Sequence, residues 1–429
     1  MAKVRPFKAL RFDERVAGPI GKICAPPYDI ISPAEQGALY DISRHNIIRL
    51  ELTRGEDRYN SAASTLKKWL EEGALKQDET AALYLYEEEF PLSDGSVHII
   101  NGIISQVELR EFADGVILPH EETLSKAKAD RFELMSATFC NFSQIYSLYR
   151  DERHEIRPLL EEIRKSEPEV EFRFSDGILH RLWVIEETGI VSAVCDAFAE
   201  KQLFIADGHH RYETALNFKK KLVDDGYIKD ENHSGNFVMM MLVDMEHEGL
   251  VIFPTHRLVS GLENFDEEKV LESVSKNFEI TPLGGRTIEE ALETDGGAKR
   301  MVYIGKTDSH LLTLKNPSAL EAAFPDGSVF YRQLDVNLLH GLILEPVLGI
   351  DKANMAAQKN LTYTHNISEA VNGVADGKYQ CAFILNPTLV TEIRDVSLCG
   401  EKMPQKSTYF YPKLITGVVM NKLMDIPAK

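Results

Sequence analysis

The chain has 429 residues, 44% of them hydrophobic and 27% charged, with a formal net charge of −19. That composition is ordinary for a folded protein of two or three domains and excludes long disorder. The acidic balance, with no basic stripe along the chain, excludes an extended nucleic-acid surface.

Residues 4–12 alternate well enough for a first strand, which leads into the turn Pro26-Pro27-Tyr28-Asp29. Ser32-Pro33-Ala34-Glu35 is a capping box with proline at the first helical position, so a short helix starts there. Residues 47–52, which carry Arg49 and Glu51, read as a strand. An amphipathic pattern over 59–72, with Leu66, Trp69 and Leu70 on one face, predicts a helix stopped by Gly73. Residues 82–90 and 99–109 predict an antiparallel pair joined through Ser93-Asp94-Gly95. The polar run 119–131 reads as a loop opening into a helix near Ser136. A further helix is expected over 151–165, and the polar stretch 166–168 marks a boundary.

The second half alternates more regularly. Helices are expected over 191–200, 212–224 and 266–278, and strands over 203–206, 237–243, 301–304 and 311–314. Ser318-Ala319-Leu320-Glu321 has the form of another capping box, and residues 329–348 are apolar at helical spacing. A strand over 379–385 and a helix over 388–398, closed by Gly400, complete the pattern. The mixture predicts an α+β (mixed α/β) protein, with an N-terminal domain over 1–168 and a C-terminal α/β domain over 169–429. Five scattered cysteines without CxxC spacing, no apolar leader and no run of about 20 apolar residues imply a cytoplasmic protein without membrane association.

Chemistry concentrates in Asp207-Gly208-His209-His210-Arg211, between an expected strand and an expected helix. A glycine turn there aims backbone N–H groups and the positive helix end at one point, an anion site in waiting. His210 and Arg211 add donors, and a guanidinium grips phosphate with two parallel bonds. The same five residues also suit a metal site through Asp207, His209 and His210, or a plain turn with Asp207 as cap. A second polar block runs from Pro119 to Arg131. There His120 and Glu121 suit a general acid/base pair, and Lys126 and Arg131 suit phosphate. A third, 403–413, offers Lys406, Ser407, Tyr409 and Lys413 as ligand-lining groups. Asp29, Glu51 and His256 are further cleft candidates. No P-loop, GxGxxG, GxSxG or protein-kinase signature is present.

VRPFKALRF, APPYDIIS, LPHEETLSKAKADR, FIADGHHRYETAL, PTHRLV and MPQKSTYFYPKL resemble, in order, the blocks of a bacterial and archaeal family catalogued as domain of unknown function 1015. The resemblance covers essentially the whole chain. Gly208-His209-His210-Arg211 also resembles the nucleotide-phosphate motif of the ParB/sulfiredoxin-like fold. The match is closest to the Asp-Gly-His-Thr-Arg run of free-serine kinases, with His210 in place of threonine. Sulfiredoxins carry their catalytic cysteine where His209 stands, so thiol repair is disfavoured.

This resemblance implies a ParB/sulfiredoxin-like core and a nucleotide-dependent phosphotransferase for a small metabolite such as free serine. ATP or ADP with Mg²⁺ is the implied cofactor. Gly208, His210 and Arg211 would hold phosphates, Asp207 or His209 would orient the metal or the acceptor, and Glu51, Glu121 or Asp29 would serve as base. Two other readings stand beside it. One is a metal-dependent hydrolase or phosphatase using His120, Glu121, Asp207 and His209. The other is a non-catalytic protein that binds an anionic metabolite or nucleotide.

Overall fold

The computed structural model describes residues 1–123, 125–293 and 297–427, with the side chains of 125–127 outside that description. It is a mixed α/β protein whose chain divides into two units. The first comprises Met1–Pro119, Thr123–Leu250 and Pro412–Lys429; the second comprises His120–Glu122 and Val251–Tyr411. The expected boundary at 168 falls inside the first unit, because strands on both sides of it join one sheet.

That sheet has nine strands among the described residues. Eight run in the order Ile117–Leu118, Leu203–Asp207, Ile145–Tyr149, Phe237–Asp244, Val97–Glu108, Leu83–Pro91, Leu179–Ile185, Val170–Arg173, and Val4–Arg5 pairs with Val97–Glu108. Phe237–Asp244 is buried on both faces, which explains its unbroken apolar run. Val238, Met240 and Leu242 share a core with Ile103, Ile145, Ile205 and Phe198. A second core gathers Ile23, Ile47, Ile48, Leu66, Trp69 and Phe142. The hairpin of Leu83–Pro91 and Val97–Glu108 is the pair the alternating pattern predicts.

Several expectations change. The strand over 4–12 is broken: Pro6 has no N–H to offer, and Val4–Arg5 and Leu10–Phe12 are separate strands with a single bridge from Phe7 to Ala82 between them. The strand expected over 47–52 is instead the short helix Ile48–Glu51. Asn46 decides this, because its side chain accepts the Ile48 N–H at 3.0 Å while donating to the Lys22 and Cys24 carbonyls. The helix expected near Ser136 begins eleven residues earlier, as Ser125–Thr138, so the second half of the polar block is helical. The helix expected from 151 starts at Arg157, because the Asp151 carboxylate holds the N–H groups of Glu155, Ile156 and Arg157 in a loop.

The second unit is built on a six-stranded sheet in the order Phe278–Pro282, Ser309–Leu314, Arg300–Ile304, Cys381–Ile384, His256–Val259, Leu361–Thr364, antiparallel throughout. Leu258, Val302, Ile304, Val374, Ala382 and Ile384 form its core. The expected capping box at Ser318 does not form: Pro317 is the N-cap and makes no side-chain cap bond. The apolar run over 329–348 is not one helix but Val329–Arg332, Asp335–Leu339 and a π turn at His340–Leu344. Among the described residues no helix is long and apolar enough to cross a membrane.

Candidate functional site

Leu203–Asp207 lies between a parallel neighbour, Ile117–Leu118, and an antiparallel one, Ile145–Tyr149, and its register shifts between Ile205 and Asp207. Gly208 then turns the chain with φ 96°, left-handed backbone that glycine adopts without strain. A Cβ there would also sit 2.9 Å from the Arg211 guanidinium. The helix His209–Asp224 follows directly and starts three residues earlier than its apolar pattern suggests, with no side-chain cap from Gly208. Tyr212, Ala215, Phe218 and Leu222 bury its inner face, and the Tyr212 hydroxyl donates to the Arg110 carbonyl at 2.7 Å. The positive end of a 16-residue helix is thereby fixed at the strand end.

Asp207 stands between two cations: Arg211 Nη2 reaches its Oδ2 and Lys413 Nζ its Oδ1, each at 2.7 Å. Burial alone would raise the Asp207 carboxyl, but Lys413 first and Arg211 second hold it well below the usual carboxylate range. Arg211 Nη1 donates to the Gln144 carbonyl. In this structure the guanidinium therefore folds back over Gly208 onto protein oxygens, not outward as a two-bond phosphate clamp. His209 is buried. The half-buried His210 imidazole is pulled down by burial, against the opposing charge of Asp29, which is exposed in the turn Tyr28–Ile30.

A second charged group belongs to the same unit. Glu51, at the end of Ile48–Glu51, accepts from Arg131 Nη1 at 3.2 Å and from Ser143 Oγ at 2.9 Å, both on Oε1. Arg131 Nη1 also donates to the Glu51 carbonyl at 2.9 Å, and its Nε donates to Asp130 Oδ2 at 3.0 Å. Arg58 and the Tyr59 hydroxyl hold the other Asp130 oxygen. The Arg131 guanidinium lies 4.1 Å from the centre of the Tyr28 ring. Burial pushes the Tyr28 phenol up to about 12, while the charges of Arg211 and Arg131 pull against it. Tyr28 thus stands within electrostatic reach of both groups, and blocks around 28, 51, 131, 207–211 and 413 converge in one unit.

The sequence reading missed Tyr28, Ser143, Gln144 and Thr416, the last bonded to Ser143 Oγ at 2.9 Å. The signal for Tyr28 was the double proline before it; for Ser143-Gln144 it was a polar pair in an apolar stretch. It also missed Lys128, which pairs with Glu213 at 2.6 Å. The Lys126 side chain lies outside the described residues.

The remaining candidates belong to the second unit. His120 Nε2 lies 3.0 Å from Thr408 Oγ1, and Glu121 Oε1 accepts the Lys406 N–H at 3.1 Å. Ser407 Oγ donates to the Pro404 carbonyl, and Tyr409 packs its ring 3.8 Å from His365. His256 is buried, accepts the Leu385 N–H at 3.3 Å, and is pulled down to about 4 by burial and then by Arg257. Among the described residues no three His, Cys, Asp or Glu gather in a metal-binding arrangement.

Comparison with curated proteins yields no match. Three similar solved structures are a conserved hypothetical protein from Pyrococcus furiosus, a free serine kinase in complex with AMP, and C-terminally truncated SbnI from Staphylococcus aureus. The first is 16% identical, covers 75% of this chain and 95% of its own, and has a TM-score of 0.36. The kinase is 14% identical, covering 72% and 86% at a TM-score of 0.35. SbnI is 11% identical, covering 73% and 85% at 0.35. Residues 4–337 match the model of the family described as protein of unknown function DUF1015, and the chain belongs to that family.

Proposed function

We propose that the protein is a nucleotide-dependent phosphotransferase acting on a small hydroxyl-bearing metabolite, with free serine as the acceptor the motif resemblance implies. The observation that carries this reading is the convergence, in one unit, of the Asp207–Gly208 turn, the fixed helix end, Lys413, Arg211 and the Glu51–Arg131 pair. Phosphoryl transfer depends chiefly on positioning and on neutralising charge, which these groups supply.

ATP or ADP provides the phosphoryl group when bound. An entering phosphate takes the helix end and competes with Asp207 for Arg211 and Lys413, so the carboxylate acts as a placeholder that keeps both cations in position. Glu51 is the base for the acceptor hydroxyl: both of its side-chain bonds fall on Oε1, and Arg131 fixes its orientation. In this structure each Asp207 oxygen already holds a protein cation, so Asp207 does not fit a protein-held Mg²⁺ until phosphate has drawn Arg211 and Lys413 away. No step is assigned to that ion.

The test follows phosphoserine by phosphorus NMR after mixing the full chain with serine and ATP or ADP. Glu51→Gln is expected to lower turnover by about 100-fold or more with nucleotide affinity unchanged. Gly208→Ala is expected to weaken nucleotide binding. Nucleotide binding without turnover would return the protein to the non-catalytic binding reading. No phosphoserine, together with undiminished nucleotide binding in Gly208→Ala, removes the proposal.

A further inference from the structure

The run Thr255-His256-Arg257 takes no part in the phosphotransfer reading, yet it contains an unusual charge. Arg257 lies on the inner strand His256–Val259, opposite Tyr363 and Phe383, and is 1% exposed. Among the described residues it forms no ion pair. Its Nη1 donates to the Thr255 carbonyl and its Nη2 to the Lys406 carbonyl at 3.1 Å, and Nε has no partner. The Tyr363 ring, 5.5 Å away, is the aromatic neighbour of the charge. Burial pulls the guanidinium down to about 10. A buried charge without a counterion is strongly destabilising, and proteins seldom retain one.

Arg257 and Thr255 both line a cavity of about 430 Å³ in the second unit, together with Lys299, Asn386, Thr388 and Ser407. The Thr255 hydroxyl is buried there without a partner. Lys299 differs from Arg257 in having its charge matched already, by Asp335 and Glu392 at 3.2 Å each. Glu293, Asp335 and Glu392 also line the cavity, the last two as the partners of Lys299, so among the described residues Arg257 is the lining cation that no carboxylate pairs, beside the unpartnered Thr255 hydroxyl. The two carbonyls hold Nη1 and Nη2 and leave Nε, a buried atom, without a partner.

We propose that this cavity binds the oxyanion end of a small molecule, a carboxylate or a phosphate, with Arg257 as counterion and Thr255 as second donor. An oxyanion satisfies both unused donors at once and matches the buried charge. The site is independent of the Gly208 turn and does not rest on the phosphotransfer reading.

The test is calorimetric titration of the full chain, freed of phosphate and held at constant ionic strength with chloride. Inorganic phosphate and acetate serve as separate probes. Both are titrated into a Gly208→Ala background, so that a failure of the phosphate turn leaves this site readable. Saturable binding of one equivalent is expected. Phosphate alone would mark a phosphorylated ligand, acetate alone a carboxylate, and both an oxyanion site of broad tolerance. Thr255→Val, which keeps the side-chain shape, is expected to weaken binding about tenfold, and Arg257→Met to abolish it. If neither probe binds, the proposal is overturned, as it is if affinity is unchanged in Thr255→Val and in Arg257→Met.

Discussion

Two buried arginines, one in each unit, show how differently the protein treats the same side chain. Arg131 is 7% exposed and Arg257 1%, and each lies near a tyrosine ring. Arg131 has Glu51 and Asp130 as ionic partners, and their charges outweigh burial, so its guanidinium is raised. Among the described residues Arg257 has carbonyl oxygens only, and burial lowers it. A paired buried charge orders its surroundings, here the Glu51 carboxylate. An unpaired one is a cost that a ligand can relieve. The difference separates a positioning group from a receptor for an anion.

The largest expected effect breaks that comparison directly. Arg131→Met leaves Glu51 buried with Ser143 as its remaining side-chain donor and should cost about 3–5 kcal/mol. Arg257→Met removes a charge that no carboxylate among the described residues pairs and should leave stability within about 1 kcal/mol of the parent, or raise it. Both tryptophans, Trp69 and Trp183, belong to the first unit, so their fluorescence in urea reports on Arg131→Met. Far-ultraviolet circular dichroism covers Arg257→Met. Equal losses in the two variants would end the distinction.

A smaller effect tests the pairing at Asp207. Asp207→Asn leaves Arg211 and Lys413 without their shared carboxylate and should cost roughly 2–3 kcal/mol at pH 7. The folded-state pKa of Asp207 lies below its ordinary value of 3.8. Its contribution is therefore complete above about pH 5 and is lost as pH falls through 3.8 toward the folded value. Urea unfolding of the parent should lose stability over that acid range, and Asp207→Asn should lose less of it. Parallel acid limbs would show that Asp207 is not ion-paired in solution.

Much of the first unit was legible because its signals are local. The hairpin, the apolar strand 237–243 and the glycine turn each occupy a few consecutive residues with one dominant pattern. The helix Ile48–Glu51 was misread because four apolar residues suit a strand or a turn of helix equally, and Asn46, contacting residues more than twenty positions back, decides between them. The site was legible as blocks but not as a pairing scheme. Nothing near Asp207 announces that Lys413, 206 residues on, takes one of its oxygens. Nor does Thr255-His256-Arg257 reveal that its arginine forms no ion pair among the described residues, since that is a property of the packed sheet.

The smallest expected effect is a control on the whole comparison, since local chemistry should behave alike in both units. Ser32 caps Pro33–Ile42 in the first unit and Thr287 caps Ile288–Leu292 in the second, each in a complete capping box with Glu35 and Glu290. Ser32→Ala and Thr287→Ala should each cost about 1 kcal/mol, since each leaves one helix-end N–H without its acceptor. Ser318→Ala should cost much less, because Ser318 is the first residue of its helix and its hydroxyl donates to Asn316, outside any cap. Chemical denaturation of the three variants, scored by the transition of the unit that carries each, measures this directly. Similar losses for the two caps would mean that neither unit is intrinsically softer, so that a gap between Arg131→Met and Arg257→Met reflects their partners. A cap worth far less in the second unit would instead mean that this unit absorbs substitutions generally, and the tolerance of Arg257→Met would lose its meaning.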